Sequence, residues 1–335
     1  MYVYGHSKSE QYEKYSISAC QRNLLITFVL FSSILFNAQA NEIITTDSTE
    51  IDNSSDQQQT SQPETIGEAP DNDISHLFVR ESEVLLAPRK VQLTFGVNYS
   101  SEEEFSNLRK TRDRTLSLPI VISIGVTENL ESYISIPLVF TESEYTSFGD
   151  GDKNTNKGFG DILMGFSYQV LPETVKFPSM TASLKIQAPT DDSDDNSASE
   201  SPAISSGYWG LSGSFSFTKS VDPAVMFFSF GFSHLFEEEK SGLNLQPGNT
   251  YSYSLGTGLS INSAISLSGR VSGSYSKELE VNGKKRVGSS NEPISFVFGT
   301  IYRISKKLSM ETFVDFGLNE DANNTSFGLN YIYNF

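Results

Sequence analysis

From Lys90 to the last residue, apolar and polar side chains alternate with a period of two, the pattern of β-strands with one apolar and one polar face. Twelve such segments are predicted, over 91–99, 116–124, 134–140, 162–168, 180–186, 209–217, 226–232, 251–261, 265–275, 294–302, 310–316 and 327–335. The first places Val91, Leu93, Phe95, Val97 and Tyr99 on its apolar face, and the last places Phe327, Leu329, Tyr331, Tyr333 and Phe335 there. The opposite faces carry small polar residues. Ser212, Ser214 and Ser216 are followed by Ser252, Ser254 and Gly256, then by Ser266, Ser268, Arg270, Ser272 and Ser274.

Alternation alone fits a soluble sandwich as well as a membrane barrel, and the connections decide between them. Links after the even strands are short: 127–130, 171–177, 219–223, 262–263 and 305–307. Links after the odd strands are mostly longer and polar: 100–113, 141–157, 190–206, 237–249, 279–291 and 319–325. Short turns at one end and long loops at the other describe an all-β, transmembrane antiparallel up-and-down β-barrel of about twelve strands. In the outer membrane of a Gram-negative bacterium this sets both termini in the periplasm. Aromatic residues near strand ends, among them Tyr99, Tyr168, Trp209, Tyr251, Tyr275, Tyr302 and Tyr333, suit the interfacial girdles of such a barrel.

Composition removes the helical alternative. The mean hydropathy is −0.28 and no run of 18 or more apolar residues is present. Residues 1–40 are read as a signal peptide: Arg22, an apolar stretch from Leu24 to Phe36, then Ala38-Gln39-Ala40 as the cleavage site. Residues 41–75 hold nine acidic and no basic residues and are read as a disordered periplasmic linker. Residues 76–335 are assigned to the barrel, with Leu77, Phe78, Leu85 and Leu86 in a segment that plugs its base. The single cysteine, Cys20, precedes the apolar stretch, which excludes an internal disulfide. Twenty-four basic against 41 acidic residues give a net charge of −17. Removing 1–40 takes away three basic and two acidic residues and leaves −18, which argues against nucleic acid as a partner.

Several stretches carry a family resemblance. Leu116-Ser117-Leu118-Pro119, then Gly125-Val126-Thr127-Glu128-Asn129-Leu130 and Ile136-Pro137, lead to Gly158-Phe159-Gly160-Asp161-Ile162-Leu163-Met164-Gly165-Phe166-Ser167-Tyr168 and Ala188-Pro189-Thr190. Together they resemble the outer-membrane family named for the meta-pathway of phenol degradation, over residues 76–335. Asp191 stands where members usually carry Gly. The resemblance implies transport of small aromatic or other hydrophobic compounds. The terminal strand ending at Phe335 resembles the membrane-insertion signal read by the barrel-assembly machinery, and outer-membrane lipid and lipopolysaccharide are the expected surroundings.

Strand parity points Asp161, Lys185, Arg270, Arg303, Glu311 and Asp315 into the lumen. The short turn at 305–307 sets Arg303 diagonal to Glu311. Two roles fit this pair: a charged constriction that sets selectivity, or a structural ion pair filling a narrow barrel. The acidic loops, including Asp150-Gly151-Asp152-Lys153-Asn154, imitate a calcium loop poorly, because Thr155 replaces the required Gly. They are read as a solvated rim. With only His76 and His234 after residue 40, no catalytic residue, cofactor or metal site is expected. A non-conducting structural or adhesion barrel is the alternative to a channel, and lumen volume separates the two.

Overall fold

A computed structural model describes residues 85–335, apart from 107–108, 148–149, 191–203 and 241. The expected signal peptide and acidic linker, and His76, Leu77 and Phe78, lie outside the described residues. In chain order the strands are β1 (Val91–Ser106), β2 (Arg109–Thr127), β3 (Leu130–Ser147), β4 (Asp150–Phe159), β5 (Ile162–Leu171) and β6 (Ser179–Ala188). They continue with β7 (Gly210–Val221), β8 (Ala224–Leu235), β9 (Glu238–Lys240), β10 (Leu243–Gln246), β11 (Thr250–Ser260) and β12 (Ile265–Ser276). The last five are β13 (Glu280–Val281), β14 (Lys284–Lys285), β15 (Ile294–Arg303), β16 (Leu308–Gly317) and β17 (Thr325–Asn334).

Thirteen of these strands form one antiparallel sheet. Both β4 and β5 pair with β3, one beyond the other, so they share a single position and the barrel has twelve. Pairing of β1 with β17, from Gln92↔Asn334 to Ser101↔Thr325, closes the sheet on itself. Closure satisfies the edge N–H and C=O groups that a bilayer cannot hydrate. The alternation sets the register: Phe95, Tyr99, Ile120, Ile122, Phe166, Leu211, Phe230, Tyr253 and Tyr331 all point outward and are exposed. Phe215 faces Phe230 and Phe217 faces Phe228 across β7 and β8, with ring centroids 5.5 and 6.2 Å apart. An apolar surface running round the whole barrel is stable only against lipid.

Four stretches expected as loops are structured instead. In place of the loops over 100–113 and 141–157, β1 and β2 continue as one hairpin to Ser106 and Arg109, and β3 and β4 as another to Ser147 and Asp150. Here cross-strand charge pairs take over from apolar alternation on the outward face. Arg114 donates to Glu142 at 2.6 Å, Lys153 reaches Glu142 at 2.9 Å and Lys110 reaches Glu103 at 3.1 Å, while Arg112 is paired with Glu103. Burial alone would raise the Glu103 carboxyl, but hydrogen bonds and charge from Lys110 and Arg112 outweigh it and hold the group below the usual carboxylate range. The hydrogen bond from Lys153 is the main influence on Glu142; slight desolvation opposes it, Arg114 adds to it, and this carboxyl is held low as well.

The loops over 237–249 and 279–291 carry a separate four-stranded sheet, in the order β14-β13-β10-β9. Its β13–β14 hairpin turns on Asn282-Gly283, both with positive φ (49° and 71°), the two-residue turn whose twist matches that of paired strands. The Asn244 N–H donates to Asn282 Oδ1 at 2.9 Å and the Asn282 N–H donates back to the Asn244 carbonyl at 2.8 Å. Polar strands this short give no periodic signal, which is why they read as loop.

At the turn end, the described part of the expected plug segment folds against the β2–β3 connection. Leu86 is 6% exposed and its N–H donates to Glu131 Oε2 at 2.8 Å. The Arg89 N–H donates to the Gly125 carbonyl at 2.8 Å. Any side chain at Gly125 would strike the backbone of Leu86 and Ala87, so this close approach requires glycine. In the terminal strand, Phe327, Leu329, Tyr331, Tyr333 and Phe335 share the outward parity, and the Phe335 N–H donates to the Val91 carbonyl at 3.0 Å.

Candidate functional site

The interior has two unlike walls. On one, Ser229, Ser254, Ser272 and Ser295 stand side by side across β8, β11, β12 and β15. The hydroxyls of Ser229 and Ser254 lie 2.7 Å apart and those of Ser272 and Ser295 3.3 Å apart, so the serines satisfy one another in pairs. Further serine pairs, Ser212 with Ser233 and Ser167 with Ser183, continue the pattern on neighbouring strands. Together with Ser252, Ser274 and Arg270, the four serines line an open cavity of about 320 Å³. One row nearer the turns, Arg270 stands between Gly256 and Val297, with Asp315 on the far side of Val297. Ser295 donates a hydrogen bond to Asp315, whose carboxylate also feels the charge of Arg270. A guanidinium and a carboxylate therefore stand at the edge of a hydroxyl-lined space.

The other wall, on β16, β17 and β1, is filled. Asn330 is 0% exposed and donates its Nδ2–H to Glu311 Oε2 at 2.7 Å; Glu311 is 8% exposed. One row towards the loops, Phe313 lies directly over Gly328, where any Cβ would enter its ring. Arg303 is set opposite Ser309, which leaves Glu311 two residues along on the diagonal. Strand parity thus separates the six lumen residues into distinct places. Arg270 lines the cavity and Asp315 meets its Ser295 from β16, while Arg303 on β15 and Glu311 on β16 lie nearer the turns.

Asp161 and Lys185 lie on a third stretch of wall. Lys185 stands between Gly165 and Ser212. Asp161 sits at the break between β4 and β5, and it holds a loop rather than facing open space. It accepts hydrogen bonds from Gln187 Nε2 at 3.0 Å, from Ser205 Oγ at 2.5 Å and from the Ser206 N–H at 3.0 Å. Lys240 of the loop sheet donates to the Ser206 carbonyl at 3.0 Å and lies 4.0 Å from the centre of the Tyr208 ring. Burial, then the nearby Glu238, pushes the Tyr208 hydroxyl above its ordinary value. Residues 205–208 are thereby tied to the barrel rim and to the neighbouring loop.

The expectation of a uniformly wet lumen needs correction. Val139, Phe227, Val297 and Ile301 point inward and are buried, and Phe313 and Tyr133 lie over glycines. Strand parity places these residues inside, but parity carries no information about the volume they fill there. The stretch from Asp150 to Asn154 that imitates a calcium loop is strand, with Asp152 opposite Tyr145. His234 lies 2.6 Å from Asn249 Oδ1 through its Nδ1 and packs edge-on against Phe236.

Residues 87–335 match the family described as "Putative MetA-pathway of phenol degradation". The chain belongs to this family. Among solved structures, an outer membrane channel from Pseudomonas putida F1 is similar at 13% identity, over 75% of this chain and 97% of that one, with a TM-score of 0.59. The translocator domain of the autotransporter NalP from Neisseria meningitidis matches at 11% identity, over 76% and 91%, with a TM-score of 0.45. The CymD monoaromatic hydrocarbon channel matches at 11% identity, over 78% and 92%, with a TM-score of 0.39. The first of these structures agrees with the barrel fold, and this member of the family is a closed twelve-strand outer-membrane β-barrel.

Proposed function

We propose that this barrel is a passive channel for small aromatic and hydrophobic compounds, and that the serine wall is its path. The observation that carries the reading is the hydroxyl-lined cavity inside the barrel, left open where the adjoining wall is filled. Hydroxyls present donors and acceptors to a phenolic or carboxylate group, and Arg270 at the cavity edge suits the anionic members of the class. The name of the family and the description of the Pseudomonas structure as a channel support it. The same reading sets the short turns and both termini in the periplasm, gives the terminal strand to the barrel-assembly machinery, and assigns the protein no chemical step.

The test is swelling of liposomes that hold the purified barrel, with phenols and aromatic acids compared against sugars of similar size. Faster entry of the aromatic solutes is expected, and Arg270→Ala slows the acids more than the neutral phenols. A second reading, a non-conducting structural or adhesion barrel, draws on the filled wall around Asn330 and Phe313. Swelling by none of these solutes would favour it.

A further inference from the structure

Above the apolar belt, the outward face of the β1–β2–β3–β4 hairpins changes character within one step of the pleat. The register sets Tyr99, Leu116, Phe140 and Lys157 in one row. The next row towards the hairpin tips is Ser101, Arg114, Glu142 and Thr155, and the one beyond it Glu103, Arg112, Glu144 and Lys153. Successive rows on one face are two residues apart, roughly 7 Å along the strand. Lys110 follows Arg112 on the same face of β2. Five basic residues stand here against three carboxylates, a local excess of positive charge on a chain whose net charge is −17.

The cations are held rather than loose. Arg114 is 2.6 Å from Glu142 and Lys153 is 2.9 Å from the same carboxylate, and Arg112 is paired with Glu103. Glu144 lies 3.9 Å from both guanidinium groups. A guanidinium carries five N–H donors, and these carboxylate contacts use only part of that set. The Lys153 side chain is 58% exposed. Fixed, partly exposed donors at the height where a belt meets headgroups are suited to phosphate oxygens.

We infer that this face of the paired hairpins binds the phosphorylated headgroup of lipopolysaccharide standing beside the barrel. The occupant follows from position: the patch lies directly over the lipid-facing residues Tyr99, Leu116 and Phe140, so its neighbour is a membrane lipid, and a diphosphorylated one meets the excess charge. The inference rests on the proposed orientation, with the long hairpins at the cell surface.

Native mass spectrometry of the full barrel in detergent, titrated with deep-rough lipopolysaccharide that keeps both lipid A phosphates, tests it. Wild-type protein is expected to retain the lipid, with affinity at least tenfold lower for chemically dephosphorylated lipopolysaccharide and for phosphatidylglycerol. Arg112→Gln combined with Arg114→Gln should weaken retention to a similar degree. Those variants break the guanidinium pairs within the hairpins; Lys153→Glu with Lys157→Glu, at exposed positions, loses only the Lys153 pair with Glu142 and gives a second arm with the same expected loss. Heat-dependent gel migration checks folding, and liposome swelling by each variant reports the channel reading separately. Equal retention by both double variants, or equal affinity for the dephosphorylated lipid or phosphatidylglycerol, would overturn the inference whether or not the barrel conducts.

Discussion

The serine wall on β8, β11, β12 and β15 and the filled wall on β16, β17 and β1 are built from the same alternating strands, yet one is open and the other closed. On the first, serine faces serine along a row, as in Ser229, Ser254, Ser272 and Ser295, and small side chains bond sideways to each other. One row nearer the turns this wall too is filled, by Phe227 over Gly256 and by Val297. On the second, a large residue faces a glycine, as Phe313 does Gly328, and a buried amide and carboxylate, Asn330 and Glu311, close the next row. Both walls score as polar when residues are counted. What separates them is the volume of cross-strand neighbours, and so the position of a path through a narrow barrel depends on pairing rather than polarity.

Substitutions that exchange the characters of the two walls should have the largest effects. Ser272→Trp fills the row between Ser254 and Ser295 and should remove most of the solute flux in liposome swelling, while leaving heat-dependent gel migration unchanged. Gly328→Val forces a side chain into the Phe313 ring, and overpacking of this kind costs about 1–3 kcal/mol. A lower urea midpoint with flux retained is the expected outcome. Glu311→Ala leaves the buried Asn330 amide without its acceptor, a loss on the order of 1–3 kcal/mol read from the same unfolding curves. If Gly328→Val abolished flux and Ser272→Trp spared it, the assignment of the two walls would be reversed.

The smallest effect belongs to the hairpins. The Glu103 and Glu142 carboxyls are held below their ordinary range, so their stabilising pairs are complete above the unfolded carboxylate pKa and are lost as pH falls through the depressed folded values. The difference in urea midpoint between wild type and Glu103→Gln should be constant above the ordinary carboxylate range and shrink as the pH falls below it. A difference that grew on acidification would contradict the pairing.

Much of this architecture is legible in the chain. Alternation reports directly on which face of a strand meets lipid, because an apolar residue there is favoured at nearly every step; hence the outward set from Phe95 to Tyr331. The long hairpins were not legible, since Arg112, Arg114, Glu142 and Glu144 sit outside the belt and give no apolar signal, and charge pairs form only once the register is known. In the lumen, parity places all six charged candidates but says nothing of depth. Asp161 is a case in point: its role in holding Ser205 and Ser206 arises from residues 44 and 45 positions away.

The serine-lined path is tested most directly by a single thiol. The one cysteine of the chain, Cys20, lies within the expected signal peptide, so Ser272→Cys would leave a single reactive side chain in the mature barrel. In planar-bilayer recordings, adding a bulky thiol reagent should cut the open-channel current of Ser272→Cys and leave that of wild type unchanged. A barrel that passes no current before the reagent, or a Ser272→Cys current untouched after complete modification, would contradict the account.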